Sequence, residues 1–282
     1  MKPAFIGLGV QKSATSWIYR VLKEHPQVCM IKGELDKETM FFNYFYDRGF
    51  EWYERHWGGC NETEQGGEYS TSYFYNKEAP KRIFDYNPKM KLLVCLRDPI
   101  ERAFSNHKHE IRARRVSGEN IIFENALKNN PMYIYQSLYY THLIHWLKFF
   151  PREQVLVLIY ADIKKDPAQF VKHIYRFIGV NDRFKPSILT DRLNESRLPG
   201  NPGIESIIKS FSHIVRQIGF GWVIECAKRI GIKKAVESVN TKDQSLSFPA
   251  MKDETRDYLH SVFSEENRKL SELLCRNFGF WV

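Results

Sequence analysis

Three short apolar runs punctuate the first 180 residues: AFIGLGV (4–10), KLLVCLRD (91–98) and QVLVLIYADI (154–163). Each is too short for a helix and too continuously apolar for a strand with one wet face, so each predicts a fully buried strand. Segments of helical period follow them. In ATSWIYRVLKEH (14–25), Trp17 and Val21 pair at a spacing of four, as do Ile18 and Leu22. A second helix is predicted from Pro99, and a third in DPAQFVKHIYRFIGV after the 154–163 run. Buried strands alternating with helices imply a parallel sheet covered on both faces, a three-layer α/β core over 1–180.

After Gly179 the pattern changes. LNESRLPGNPG (193–203) reads as a loop, and 204–236 carries apolar residues at helical spacing with six Lys/Arg against two Glu. Residues 251–278 read as one long polar helix. The expectation is a single domain over 1–282, with 1–180 as the α/β core and 181–282 as a mainly helical cap. The default reading of 204–236 is packing on that core; its functional reading is a lid over an acceptor. Its basic, amphipathic character also suits peripheral contact with a membrane surface.

Composition narrows the class. With 282 residues, 43% of them hydrophobic, the chain is long and apolar enough to bury a sizeable core. No run approaches the ~18 apolar residues of a membrane span, and no signal peptide is recognisable. The five cysteines (Cys29, Cys60, Cys95, Cys226, Cys275) are odd in number and widely spaced, with no CxxC pair. They predict neither a disulfide framework nor a zinc site, and they favour a reducing, cytoplasmic setting. His142 and His145 lie three apart on a predicted helix without an evident third ligand, so no metal is expected. The net charge of +9 favours an anionic partner. The basic residues form no dense run, so nucleic acid is not the expected partner.

The stretch GVQKSATSW (9–17) puts a lysine and small hydroxyl residues where a buried strand meets a helix. Helix N-termini present free N–H groups and favour anions. Ser13 is the candidate N-cap, and Lys12 adds a full charge. The plain alternative is an ordinary turn with an exposed lysine. A Walker A loop does not fit, because Gln11 stands where its second glycine belongs; a G-x-G-x-x-G dinucleotide loop does not fit, because Lys12 replaces the third glycine.

The stretch RDPIERAFS (97–105) opens a second such corner. Asp98, Pro99 and Glu101 are a capping signature. Arg97 closes a buried strand, where a guanidinium requires an anionic partner, either a ligand or a helix carboxylate.

GVQKSATSW resembles the 5′-phosphosulfate loop of sulfotransferases that use 3′-phosphoadenosine 5′-phosphosulfate (PAPS), with Ala14 in place of the commoner glycine. R-D-P-x-x-R-x-x-S resembles their 3′-phosphate motif. KETMFF (37–42) resembles the K-E-x-x-F-F segment of the heparan-sulfate-type and related bacterial members. The resemblance extends over most of 3–180, the NESR loop (194–197) and the C-terminal helix, with Ala161 where a glutamate is usual. Two departures set the chain nearer the bacterial branch than the heparan enzymes. Tyr69 stands where those enzymes carry a lysine, and no cysteine lies between Cys95 and Cys226 to form their late-loop disulfide.

The resemblance implies a P-loop-like fold and sulfonyl transfer from PAPS, without a metal, to a hydroxyl or amine of a small-molecule or carbohydrate acceptor. Lys12, Ser13, Ala14, Thr15 and Ser16 would hold the 5′ end, and Arg97, Ser105 and Arg197 the 3′-phosphate. Tyr139 would line the nucleotide pocket, and Glu38 would be the base. The residues alone leave Glu34, Asp36 and Glu38 open as bases, with Phe41 and Phe42 suggesting a partly apolar setting for Glu38. His107 and His109 are the next candidates. The competing function is a nucleotide or small-molecule kinase with a similar fold, which would depend on ATP and magnesium. Acceptor identity and oligomeric state are not legible in the sequence.

Overall fold

The computed structural model describes residues 1–31, 37–190 and 248–281, all but Phe248 within one compact unit formed by 1–193 and 249–282. Glu34, Asp36, Arg197 and the 204–236 region lie outside the described residues.

Five parallel strands form one sheet: β1 (Phe5–Gly9), β2 (Val28–Met30), β3 (Gln65–Tyr69), β4 (Lys91–Leu96) and β5 (Val155–Ile159), in the order β2-β3-β1-β4-β5. The three apolar runs became β1, β4 and β5. Their side chains alternate between two buried faces, as the strand period requires. Ile6, Leu8, Leu92, Val94 and Leu96 enter one hydrophobic cluster; Phe5, Leu93, Cys95 and Leu158 enter the other.

The second face is covered by α1 (Thr15–Glu24) through Trp17, Ile18, Val21 and Leu22, and by α10 (Pro167–Ile178) through Phe170, Ile174 and Tyr175. The first face receives α2 (Phe41–Tyr44), α3 (Gly49–Glu54), α4 (Ala79–Tyr86) and α8 (Tyr139–Leu147). Beyond it, α5 (Pro99–Arg112), α6 (Phe123–Asn129) and α7 (Met132–Tyr135) surround a third cluster. The remaining helix before α10 is α9 (Tyr160–Lys165).

The predicted C-terminal helix is present as α11 (Asp253–Leu274). Its Leu259 and Phe263 enter the third cluster and its Leu270 the first. Glu266 also accepts from the Thr141 amide (3.1 Å) and hydroxyl (2.6 Å) in the first turn of α8. This part of the predicted cap is therefore built into the core. Among the described residues no helix is long and apolar enough to cross a membrane.

Strand β3, QGGEY, has no apolar signature, and its place beside β1 rests on two reciprocal glycine–aromatic pairs. Phe5 stands beside Gly67 and Gly7 beside Tyr69. A Cβ on Gly7 would lie 2.2 Å from the Tyr69 ring, and one on Gly67 2.2 Å from the Phe5 ring. Each glycine leaves the space that its neighbour's ring occupies.

The cysteine expectation is overturned. Cys29 and Cys60 form a disulfide, with their Cα atoms 5.9 Å apart. The cause is topological: β2 and β3 are parallel neighbours, with Cys29 beside Gly66, so the chain entering β3 passes alongside β2. Spacing along the sequence carries no trace of that approach. The pairing removes the cysteine-based ground for a reducing compartment. It also uses the sulfurs of the Cys29, Cys60 and Glu64 group, the one set of potential metal ligands close together among the described residues.

Candidate active site

Strand order reverses at β1, with β4 on one side and β3 on the other. In open α/β sheets, ligand sites lie beyond the carboxyl ends of the strands at such a reversal. The loops following β1, β3 and β4 all emerge there.

The loop after β1 runs from Val10 to Ala14. The Val10 amide bonds the Cys95 carbonyl of β4 (3.1 Å). Lys12 and Ala14 adopt left-handed backbone conformations, with φ of 71° and 59°. Alternation of this kind turns main-chain N–H groups into an anion-binding concavity. Ser13 is not the N-cap that its position predicts: α1 begins at Thr15, Ala14 occupies the cap position, and no side chain caps the first turn. The Ser13 hydroxyl is instead fully buried and has no hydrogen-bond partner among the described residues. An uncapped helix start, a bent loop and an orphaned hydroxyl together suit an anion with several oxygens.

The turn after β4 meets this loop. Asp98 caps α5, accepting from the amides of Ile100 and Glu101, both at 2.9 Å. Arg97 donates to the Lys12 carbonyl (3.2 Å), lies 5.0 Å above the Tyr160 ring and makes a loose ion pair with Glu101 at 3.7 Å. Glu101 also pairs with Arg256 of α11. The helix-carboxylate reading of Arg97 therefore holds in part, and the guanidinium also reaches the loop. Ser105 lies half-buried two turns along α5. Burial lowers the Lys12 pKa, and the nearby cations Arg112, Arg97 and Lys37 lower it further, with Glu110 opposing. So many cations around one loop make a strong positive potential.

The third wall is the segment 37–40, pinned to the end of β3. The Tyr69 amide bonds the Lys37 carbonyl, and Met40 N–H donates to Ser70 Oγ. Glu38 accepts from the Thr71 amide (3.3 Å) and hydroxyl (3.1 Å) and pairs with Lys37 at 3.1 Å. Lys37 in turn donates to Thr15 Oγ1 at 3.2 Å and Ser16 Oγ at 3.5 Å. The carboxylate is thus joined to the first turn of α1 through one ammonium group.

Glu68 is the anchor that sequence reasoning missed. It is fully buried in β3 and accepts from the Thr39 amide and hydroxyl, Ser70 Oγ, Tyr53 OH and Tyr73 OH. Burial raises its pKa against the pull of these donors. Phe41 and Phe42 are fully buried and pack on Tyr46, Tyr53 and neighbouring rings. The nearest sequence signal was an acidic residue between a glycine pair and YSTSY.

The remaining candidates lie on α5, α8 and β3. Tyr139 is buried, its ring against Phe74 and Trp281 and its hydroxyl close to the Arg97 backbone. His107 is buried between Tyr133 OH and the Ile121 carbonyl. His109 lies nearer the loop, its pKa lowered by burial and then by Lys12. His142 and His145 contact the carbonyls of Tyr135 and Lys77. Tyr69 is wholly buried and donates to the Gly9 carbonyl, so it serves the β1–β3 contact.

Residues 2–197 match the family model described as "Sulfotransferase domain". Mouse bifunctional heparan sulfate N-deacetylase/N-sulfotransferase 4 is 26% identical over 290 residues, covering 97% of this chain and 30% of that protein. Human heparan sulfate glucosamine 3-O-sulfotransferase 3B1 is 30% identical over 196 residues, 67% of this chain and 48% of that protein. The chain thus spans half or less of the length of these relatives. A solved sulfotransferase from Alicyclobacillus acidocaldarius shares the fold with a TM-score of 0.70 and 22% identity, covering 100% of this chain and 99% of that one.

Proposed function

The chain belongs to the sulfotransferase domain family, and from that premise we propose that it transfers a sulfonyl group from PAPS to a hydroxyl or amine of a carbohydrate or small-molecule acceptor. The observation that carries this reading is the meeting of the two anion-binding corners, with Arg97 bonded to the Lys12 carbonyl and Glu38 facing the same loop through Lys37.

The residues fit a nucleotide with phosphate at both ends. Ser13, with its orphaned hydroxyl, and the amides of Ala14, Thr15 and Ser16 would hold the 5′-phosphate. Arg97 and Ser105 would hold the 3′-phosphate, joined in this proposal by Arg197. PAPS supplies the activated sulfonate. Glu38 takes the acceptor's proton as the new bond to sulfur forms and the S–O bond to the 5′-phosphate breaks. Lys12 neutralises the electron pair left on that phosphate oxygen. Positioning and charge stabilisation account for most of such a rate enhancement.

The named relatives act on heparan sulfate, which supports a carbohydrate acceptor. The +9 charge supports an anionic one. We read 204–236 as the segment that selects the acceptor. Calorimetry with 3′-phosphoadenosine 5′-phosphate (PAP) tests the donor assignment, with micromolar or tighter affinity expected. Incubation with labelled PAPS and an acceptor panel, read as the mass gain of one sulfonate, tests the reaction. Absence of PAP binding, or turnover with ATP and magnesium instead, overturns it.

A further inference from the structure

We propose that Lys37 is a second catalytic lysine, which contacts the transferring sulfonate and couples the base to the donor loop. The proposal rests on the sulfotransferase reading of the site. Three contacts single Lys37 out. Its ammonium reaches Thr15 Oγ1 (3.2 Å), Ser16 Oγ (3.5 Å) and Glu38 Oε1 (3.1 Å). The first two belong to the first turn of α1, where the 5′ end of the donor is held; the third is the base. A group passing from donor to acceptor passes between these two sets of atoms, and Lys37 already spans them.

A plain surface ion pair with Glu38 would not need this arrangement. The Lys37 side chain is only 17% exposed and that of Glu38 only 19%. Glu38 has independent support from the Thr71 amide and hydroxyl, so its orientation does not require the lysine. The backbone of Lys37 is also fixed, because its carbonyl accepts from the Tyr69 amide at the end of β3. Tyr69 itself is committed to Gly7 and Gly9 and offers no cation there. An ammonium positioned by three acceptors, two of them neutral hydroxyls that a sulfonate oxygen can replace, suits an acceptor of developing negative charge. Lys12 and Lys37 then divide the work. Lys12 serves the leaving phosphate oxygen, and Lys37 serves the sulfonate oxygens between the loop and Glu38.

The test uses the full chain and three variants: Lys37→Met, Lys37→Gln and Lys37→Arg. Affinities for PAP and for PAPS are measured by calorimetry without acceptor, and turnover is followed with the best acceptor from the panel. Because Lys37 faces the sulfonate, Lys37→Met is expected to weaken PAPS about tenfold more than PAP and to slow turnover about a hundredfold. Lys37→Gln, which keeps a donor without the charge, is expected to behave in the same way, and Lys37→Arg to restore part of the rate. Equal weakening of PAP and PAPS, or turnover within about twofold of the wild type, overturns the proposal while leaving the sulfotransferase reading intact. A wild-type protein that binds neither nucleotide overturns both. Thermal melts of all three variants separate loss of contact from loss of fold.

Discussion

Arg97 donates a hydrogen bond to the main-chain carbonyl of Lys12 across 3.2 Å. The turn after β4 therefore props the loop after β1, and the two charges assigned to opposite ends of the donor share one frame. Arg97→Ala is expected to lower PAP affinity by roughly ten- to a hundredfold, because it removes a charge-assisted contact and a support of the loop together. Arg97→Lys is expected to recover little of that loss, since a single ammonium cannot replace the guanidinium fork. Calorimetry with PAP measures both.

Glu38 is held by Thr71 and Lys37, and its segment is tied down by Glu68. Glu38→Gln keeps the shape and removes the proton acceptor. Turnover is expected to fall by about two to four orders of magnitude with PAP affinity within a few-fold of wild type. Glu68→Gln is expected to act differently. It places an amide N–H among five donors that converge on the carboxylate, so it lowers the melting temperature as well as the rate. A Glu38→Gln enzyme of undiminished rate refutes the base assignment.

Legibility in the sequence followed the physics of each element. β1, β4 and β5 are buried on both faces, and that burial writes itself as unbroken apolar runs. β2 is three residues long, and β3 is built from glycines and a buried carboxylate, so neither carries a periodic signal. Lys12 and Arg97 stand out as candidates because a cation at the end of a buried strand is costly without an anion. Ser13 was misread as a cap because residue type favours it there, whereas the loop gives that position to a left-handed Ala14. The partners of Glu68 lie at 39, 53, 70 and 73, and the Cys29–Cys60 pair spans 31 residues. The contacts of Glu68 with Thr39 and Tyr53, and the disulfide, join positions far apart in the chain and arise from the topology.

The interlock of Gly7 with Tyr69 predicts a specific intolerance. A methyl group at position 7 would stand 2.2 Å from the ring. Gly7→Ala therefore forces the ring or the strand to move, and overpacking of a tight core costs about 1–3 kcal/mol or more. Tyr69→Leu, which removes the ring, is expected to restore part of the stability lost in Gly7→Ala. Thermal unfolding of the single and double variants measures this coupling. Additive effects would show that the contact is not tight in solution.

The Cys29–Cys60 disulfide closes a loop that contains Lys37 and Glu38. Loops of this length carry about 3–4 kcal/mol of cross-link stabilisation when the chain-entropy model holds. Reduction, or Cys60→Ser, is expected to lower the melting temperature by several degrees. It is also expected to slow turnover, because the closed loop carries the base. Melting curves with and without reductant, alongside thiol titration, test the point. Identical curves with both thiols titratable in the folded state would show that the bond is absent in solution.

His107 gives the protein a predictable response to acid. Its ring lies between Tyr133 OH and the Ile121 carbonyl, beside Phe123, and burial lowers its pKa below the usual histidine range. Burial lowers His142 in the same way, next to the Tyr135 carbonyl. Both imidazoles are therefore neutral when folded, while the unfolded chain takes up protons at its ordinary pKa. With more protons bound in the unfolded state, stability rises with pH across the window between the two values. It is full above about pH 6.5 and is lost as pH falls through the lowered folded value. The melting temperature is expected to drop between pH 7 and pH 5, where carboxylate titration is only beginning. His107→Gln preserves one donor to Ile121 and one acceptor for Tyr133 without a titratable ring. It is expected to flatten that slope while leaving the pH 7 melting temperature within a few degrees of wild type. An unchanged slope in His107→Gln would mean that the buried imidazole does not govern the acid response.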